Sequence, residues 1–462
     1  MCPIAITPPK PITRSTRIGS IVGATVALAV GVMAIGRFLH DPSSATTDSL
    51  ASAGLAAAAD SARPDIGQLR TLSVTRPDDP AVWRELGITA LQHAIRTSDP
   101  AAYDEARTSL DKASALDGDD MRTSIARGTL LLSFHQFQQA FDLGTALVTA
   151  QPGNDEALAI LVDASIETGR YDEASTALQQ MLDLRPGLTA YTRTSYLREL
   201  HGDLPGAIAA MRSAEAAAGT PTDQARVQWF LGDLLANSGS FDAALGAYRT
   251  ATALDGELIG PQLGTARVLA TSNRLTEALA IVRSLAIRSP QPAVTTLLGD
   301  LETIAGNETA AGDAYQLAAA GRRLLQAAGA SIDIDVVLDA VNRTVVSPSS
   351  TTDIAAIVDD ATALVAERST VLTHDALGWA LTRAGRPLDA LAHVERSLAL
   401  GTRHSALRLH AALAFDAAGR SERAATELTA AFATPPLDAL VLRPEARALA
   451  TRLGITIPEA WR

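Results

Sequence analysis

ETGRYDEA, residues 167–174, decides the fold, because the chain keeps rewriting it. SFHQFQQA closes at Ala140, LHGDLPGA at Ala207, NSGSFDAA at Ala244 and TSNRLTEA at Ala278. IAGNETAA, RAGRPLDA and AAGRSERA close at Ala311, Ala390 and Ala424. From Ala140 onward the closing alanines recur at a near-constant step, broken once by the double-length gap between Ala311 and Ala390. A period near 34 marks a repeat protein. In such an array each unit contacts its neighbours, so 462 residues do not translate into separate globular domains. Alanine and leucine dominate, which favours helices throughout.

The unit from Asn154 to Gly187 has the anatomy of a helix pair. Leu158, Ile160 and Leu161 supply the apolar stripe of a first helix ending at Gly169, and Tyr171 packs the turn. Ala174 sits where two helices must touch, since axes about 8–10 Å apart leave little room for side chains. Leu178, Met181 and Leu182 line the second helix, and Pro186 stops it. This pattern resembles the tetratricopeptide repeat. Trp83, Leu86 and Gly87 match its opening, followed by an insertion and then Ala106, Leu110 and Ala113. Gly128, Ala140 and Pro152 match in the next unit, and Leu231, Gly232, Leu235, Ala244, Tyr248 and Ala251 give the clearest copy. Leu298, Gly299, Ala311, Tyr315 and Ala318 form another, as do Leu377, Gly378, Leu381 and Ala390. The resemblance implies an all-α, right-handed solenoid of about nine to ten helix-turn-helix units. The chain also looks like exported, membrane-anchored bacterial proteins of this type.

The main solenoid is expected over 66–330. The step from Ala311 to Ala390 is too long for one unit, so a degenerate repeat and kink are expected at 331–370. Its helices are placed near Ile334–Val345 and Asp353–Glu367, joined by the irregular VVSPSSTT. Regular repeats resume over 371–436, and 437–462 is expected to supply a capping helix.

Formal charge is −12, and Lys10 and Lys112 are the two lysines, the bias of a GC-rich bacterial genome. The acidic balance argues against nucleic acid as a partner, since phosphate binding needs a concentrated basic face. Cys2 is the single cysteine, which excludes an internal disulfide and a cysteine-based metal site.

Residues 18–35, IGSIVGATVALAVGVMAI, carry no charge. As a helix they would span about 27 Å, close to the hydrocarbon core of a bilayer. Lys10, Arg14 and Arg17 precede them, with no acidic residue before Asp41. The expected order is a basic cytoplasmic N-terminus (1–17), a transmembrane signal anchor (18–36) and a flexible linker (37–65), with the body outside the cytoplasm. Signal cleavage, leaving a secreted or periplasmic protein, is the alternative. Gly19, Gly23, Ala27 and Gly31 fall on one helical face, where a second copy of the membrane helix could approach.

No constellation with catalytic spacing emerges. His374, His393, His404 and His410 lie close in sequence, but none is three or four residues from another, as a metal pair on one helix face requires. The pairs Asp78-Asp79, Asp119-Asp120 and Asp359-Asp360 are adjacent and so do not face one another on a helix. No cofactor, metal or enzymatic activity is expected. The resemblance implies instead that first helices line a concave groove for a protein or peptide. The corresponding positions are Arg122, Glu156, Asp163, Tyr196, Glu199, Arg226, Trp229, Asp233, Arg267, Asp300, Asp375, Trp379 and Asp416. Trp229 and Trp379 could be interface anchors, or could pack between units. Acids stand where a carboxylate-gripping groove would carry asparagine and lysine, so a basic or mixed partner surface fits better. The expected function is a membrane-tethered, non-catalytic scaffold. The alternatives are a regulatory subunit masking a membrane enzyme and an enzyme using the acidic groove.

Overall fold

A computed structural model describes residues 65–97, 100–118, 120–327, 334–346 and 353–462. The expected membrane segment 18–36, the basic stretch before it and all but the last residue of the linker lie outside the described residues. Among the described residues no helix is long and apolar enough to cross a membrane. Regular structure there is entirely helical.

After α1 (Ile66–Thr75), whose first turn is closed by a capping box at Asp65, the helices form antiparallel pairs. The first are α2 (Pro80–Thr97) with α3 (Pro100–Leu116), and α4 (Met121–Ser133) with α5 (Phe137–Ala150). Then come α6 (Asp155–Glu167) with α7 (Tyr171–Leu184), and α8 (Leu188–Leu200) with α9 (Leu204–Ala217). Next are α10 (Pro221–Asn237) with α11 (Phe241–Leu254), and α12 (Gly260–Thr271) with α13 (Leu275–Arg288). The longest second helix follows, α14 (Pro292–Ile304) pairing with α15 (Glu308–Ala327). The long interval before Ala390 contains α16 (Ile334–Val346) and α17 (Ile354–Glu367). The last pairs are α18 (Val371–Arg383) with α19 (Pro387–Ser397), and α20 (Ser405–Ala417) with α21 (Ser421–Phe432). A 3-10 turn (Leu440–Leu442) leads into α22 (Arg443–Leu453), and a second one (Glu459–Trp461) ends the chain.

Each octet is the stop signal of a first helix. Its third residue adopts the left-handed backbone: Gly169, Gly202, Gly239, Gly306, Gly385 and Gly419 have φ from +72° to +80°. His135 (+58°) and Asn273 (+61°) hold the same place in the other two octets. The next amide then donates five residues back, as Arg170 does to Ser165 O at 2.7 Å and Arg386 to Leu381 O at 2.9 Å. This double-back closure satisfies carbonyls that the helix end would otherwise orphan. Asparagine and histidine tolerate this backbone better than most residues, which is why they can replace glycine. The closing alanines are all buried where the second helix leaves the turn.

Close packing within a pair follows from small residues. The ring of Tyr248 lies between Gly232 of its own first helix and Gly264 of the next, and a methyl group on either would collide with it. Its hydroxyl donates to Asp233 Oδ1 at 2.7 Å. Tyr315 repeats the arrangement, lying against Gly299 and donating to Asp300 Oδ1 at 2.8 Å.

The array does not stay one-dimensional. Six pairs after α6/α7, the chain returns to touch it. The Val371 amide donates to Tyr171 Oη at 3.1 Å, 200 positions apart. Beside it Arg368 pairs with Glu167 at 3.5 Å, both side chains nearly fully buried, and the guanidinium lies 4.9 Å from the Phe137 ring centroid. Gly169 has no room for a β-carbon because the Ser369 carbonyl occupies that place. One repeat further on, Gly202 meets the Gly401 carbonyl in the same way. One more repeat on, Pro435 stands 3.9 Å from the place a β-carbon on Gly239 would take. The helix–helix turns of α6/α7, α8/α9 and α10/α11 thus meet the loops before α18, before α20 and after α21, repeat for repeat.

Candidate functional site

The expected groove residues lie on first helices, and their side chains find neighbours inside the chain. Asp163 accepts from Arg193, 2.5 Å away and buried, and Glu199 accepts from Asn237 at 3.2 Å. Asp233 and Asp300 hold the tyrosines described above. Arg122 pairs with Glu85 at 2.9 Å, Arg267 with Asp438 at 3.7 Å and Asp416 with Arg452 at 2.6 Å. Tyr196 is buried, and Glu156 and Arg226 are also engaged.

The two tryptophans differ. Trp379 is 1% exposed: its ring stacks on His410 at 4.8 Å, and its indole N–H donates to Asn342 Oδ1 at 3.0 Å. It is a core residue. Trp229 is half-buried, tilted against Phe230, and its six-membered ring covers the backbone at Gly260, the first residue of α12. It packs between two pairs while keeping one edge accessible.

Two histidine groupings arise on α18. His410 Nδ1 lies 3.1 Å from both carboxylate oxygens of Asp375, inside the core beneath Trp379. His374 Nδ1 lies 2.9 Å from His393 Nδ1, and its Nε2 is 2.9 Å from Ser369 Oγ. Burial, with the neighbouring His393 and Arg396, pulls the His374 pKa down to about 4, so the imidazole is neutral at physiological pH. Burial pushes the Asp300 carboxyl up to about 6, against the opposing pull of the Tyr315 hydroxyl, Arg267 and Arg322. Among the described residues no three histidine, cysteine or acidic side chains come together as a metal group.

Sequence periodicity missed what fills the inside. Residues 434–442, TPPLDALVL, belong to no repeat; Pro435 and Pro436 follow the end of α21 and bar its continuation. This strap joins three hydrophobic cores. Leu437 enters the one built by α6–α11, Leu440 the one of α12–α14, and Ala439, Val441 and Leu442 the one of α16–α22. Asp438 lies between Arg267 of α12 and His404, 3.2 Å from the imidazole Nε2. Partial desolvation opposes charge on His404, whose side chain keeps 40% of its surface accessible. The hydrogen bond and field of Asp438, with Asp375 and Glu199 beyond, outweigh it and raise the pKa. Thr434 is held at both ends, its hydroxyl donating to Arg403 O at 3.1 Å and its carbonyl accepting from Trp461 Nε1 at 2.9 Å. The double proline and the loss of phase after Ala424 were the sequence signals for this strap.

Two segments, 131–192 and 230–293, match families described as tetratricopeptide repeat. Among solved structures, the chain is similar to a thermophilic protein of that repeat class in Thermus thermophilus. Identity is 19%, covering 42% of this chain and 100% of that one, with a TM-score of 0.37. It is also similar to a tetratricopeptide repeat protein from Parabacteroides merdae, at 15% identity, 54% and 93% coverage and a TM-score of 0.36. The Cut9–Hcn1 hetero-tetramer of the APC/C shares 13% identity over 84% of this chain and 89% of the other, with a TM-score of 0.37. No curated protein sequence matches it.

Proposed function

Because the chain is a tetratricopeptide-repeat protein, we propose that it acts as a scaffold that holds another protein, anchored in a bacterial cytoplasmic membrane by residues 18–36 with its body outside the cytoplasm. The observation that carries the scaffold reading is the phased array itself. Its helix pairs are built by repetition of one stop signal, and its inward acids hold helices together instead of gathering around a reacting centre. Such an array offers a long, rigid surface on which another chain can be positioned. The engagement of these acids by neighbouring side chains supports a non-catalytic role.

The uncharged stretch behind Lys10, Arg14 and Arg17 supports the topology through the positive-inside rule. Two measurements test the proposal. Cross-linking in native membranes, followed by mass spectrometry, should place a partner's residues on the helix pairs; links confined to residues 1–64 would defeat the scaffold reading. A phosphatase active only after export, fused behind Arg462, should be active, and a well-expressed but silent fusion would defeat the topology.

A further inference from the structure

Resting on that scaffold reading, we propose that the face built by α6–α14, together with His404 at the start of α20, is a receptor for an irregular, turn-containing apolar segment carrying one carboxylate, and that the strap 434–442 occupies it in cis. A repeat array needs contacts between neighbouring units to fold, not a non-repetitive segment laid across its inside. The strap is nevertheless held as a bound peptide would be. It contributes one acid, Asp438, to a basic slot formed by Arg267 and His404 from pairs far apart in sequence. On either side, Leu437 and Leu440 enter separate apolar cores. Its backbone is not a long helix that brings its own hydrogen-bonded ladder; turns within the strap carry its short-range bonds, as from Leu437 to Pro435 O and from Ala439 to Pro436 O.

The occupant chemistry therefore reads as apolar, acidic, small, apolar, apolar, apolar, in an irregular conformation. A partner segment of this type would compete with the strap for Arg267, His404 and the leucine slots. That is an autoinhibited scaffold, in which the site is filled until a better segment displaces the chain's own.

The test uses the full-length protein in detergent and a labelled peptide, TPPLDALVLR, read by fluorescence anisotropy. Asp438→Arg turns the strap's acid into a charge repelled by Arg267, so residues 434–442 should exchange their amide hydrogens faster. The peptide should then bind this variant at least tenfold tighter than the unaltered chain. A peptide with asparagine in place of its aspartate should lose at least tenfold. If Asp438→Arg fails to fold, Leu440→Ala loosens the strap while leaving Arg267 and His404 in place, and the same ranking is expected. A strap that stays protected in whichever variant folds, or one that is released without gaining peptide binding, overturns the proposal. So does a strap exchanged between two copies, seen as dimers by light scattering. The scaffold reading would survive all three results, because cross-linking of a partner to the helix pairs is measured independently of the strap.

Discussion

At the scale of single residues, the inner face is made of side chains whose partners are already chosen. Trp229 lies over Gly260, across the junction between two helix pairs. Trp229→Ala should therefore cost stability, about 2–3 kcal/mol, somewhat below the range for fully buried aromatics. Thermal unfolding should show the loss, and partner affinity of the still-folded protein should hardly change; a tenfold affinity loss at unchanged stability would return Trp229 to the role of anchor. Asp300 makes a pH-dependent prediction. Its folded pKa of about 6 exceeds the ordinary carboxylate value of 3.8, so folding takes up a proton between those limits. Above about pH 6 the folded state must hold a poorly hydrated charge, and the group then opposes folding. Asp300→Asn keeps an acceptor for the Tyr315 hydroxyl and removes that charge. It should stabilise the protein by roughly 1–2 kcal/mol at pH 8, and the gain should fade as pH falls through 6 toward 3.8. Denaturant titrations at pH 8 and pH 4 check this, and a gain that is equal at both would contradict it.

At the scale of elements, equivalent octet turns have different surroundings. Gly169 and Gly306 have nearly the same backbone, φ +78° and +77°. A β-carbon on Gly306 would meet nothing, while one on Gly169 would run into the Ser369 carbonyl. Gly306→Ala should cost about 1 kcal/mol for the left-handed backbone alone. Gly169→Ala carries that cost and must also push back the returning chain. It should cost at least about 2 kcal/mol more, in the range of overpacking. Equal losses for the two variants in chemical denaturation would mean that the contact at Ser369 yields freely. The strap shows the complementary case, an element with no repeat pattern whose place is set by the three cores it joins.

At the scale of the whole molecule, contact between pairs six apart changes how the array should unfold. In an open solenoid, a lesion weakens its own unit and the adjoining ones. Here Glu167 is tied to Arg368, and removing one member of a buried pair commonly costs about 3–5 kcal/mol because the other is left buried without a counter-charge. Glu167→Gln should therefore accelerate hydrogen exchange in α6/α7 and also in α18/α19, far away in sequence. If peptides from 371–397 kept their original rates while those from 155–184 sped up, the two regions would not be coupled.

The sequence by itself determined the helix pairs and where most of them turn. Each depends on short-range chemistry: a residue tolerant of positive φ three places into the octet, an alanine five places later, and apolar stripes at helical spacing. Even the irregular interval between Ala311 and Ala390 yielded its two helices, α16 and α17, from local pattern. The tertiary structure alone decided what faces what across longer distances. Nothing in ETGRYDEA says that Tyr171 will receive a bond from Val371, or that Gly169 must be bare for the Ser369 carbonyl. The repeat pattern could place Asp163, Asp233 and Asp300 on first helices. It could not tell that Arg193, Tyr248 and Tyr315 would take up their carboxylates, because an unpaired acid and a paired one occupy the same register. The repeat period fixes the relation of each unit to the next. Whether the array then stays open or closes on itself depends on small rotations between units, added over six of them, and on a strap whose position is chosen by cores that exist only once the array has folded.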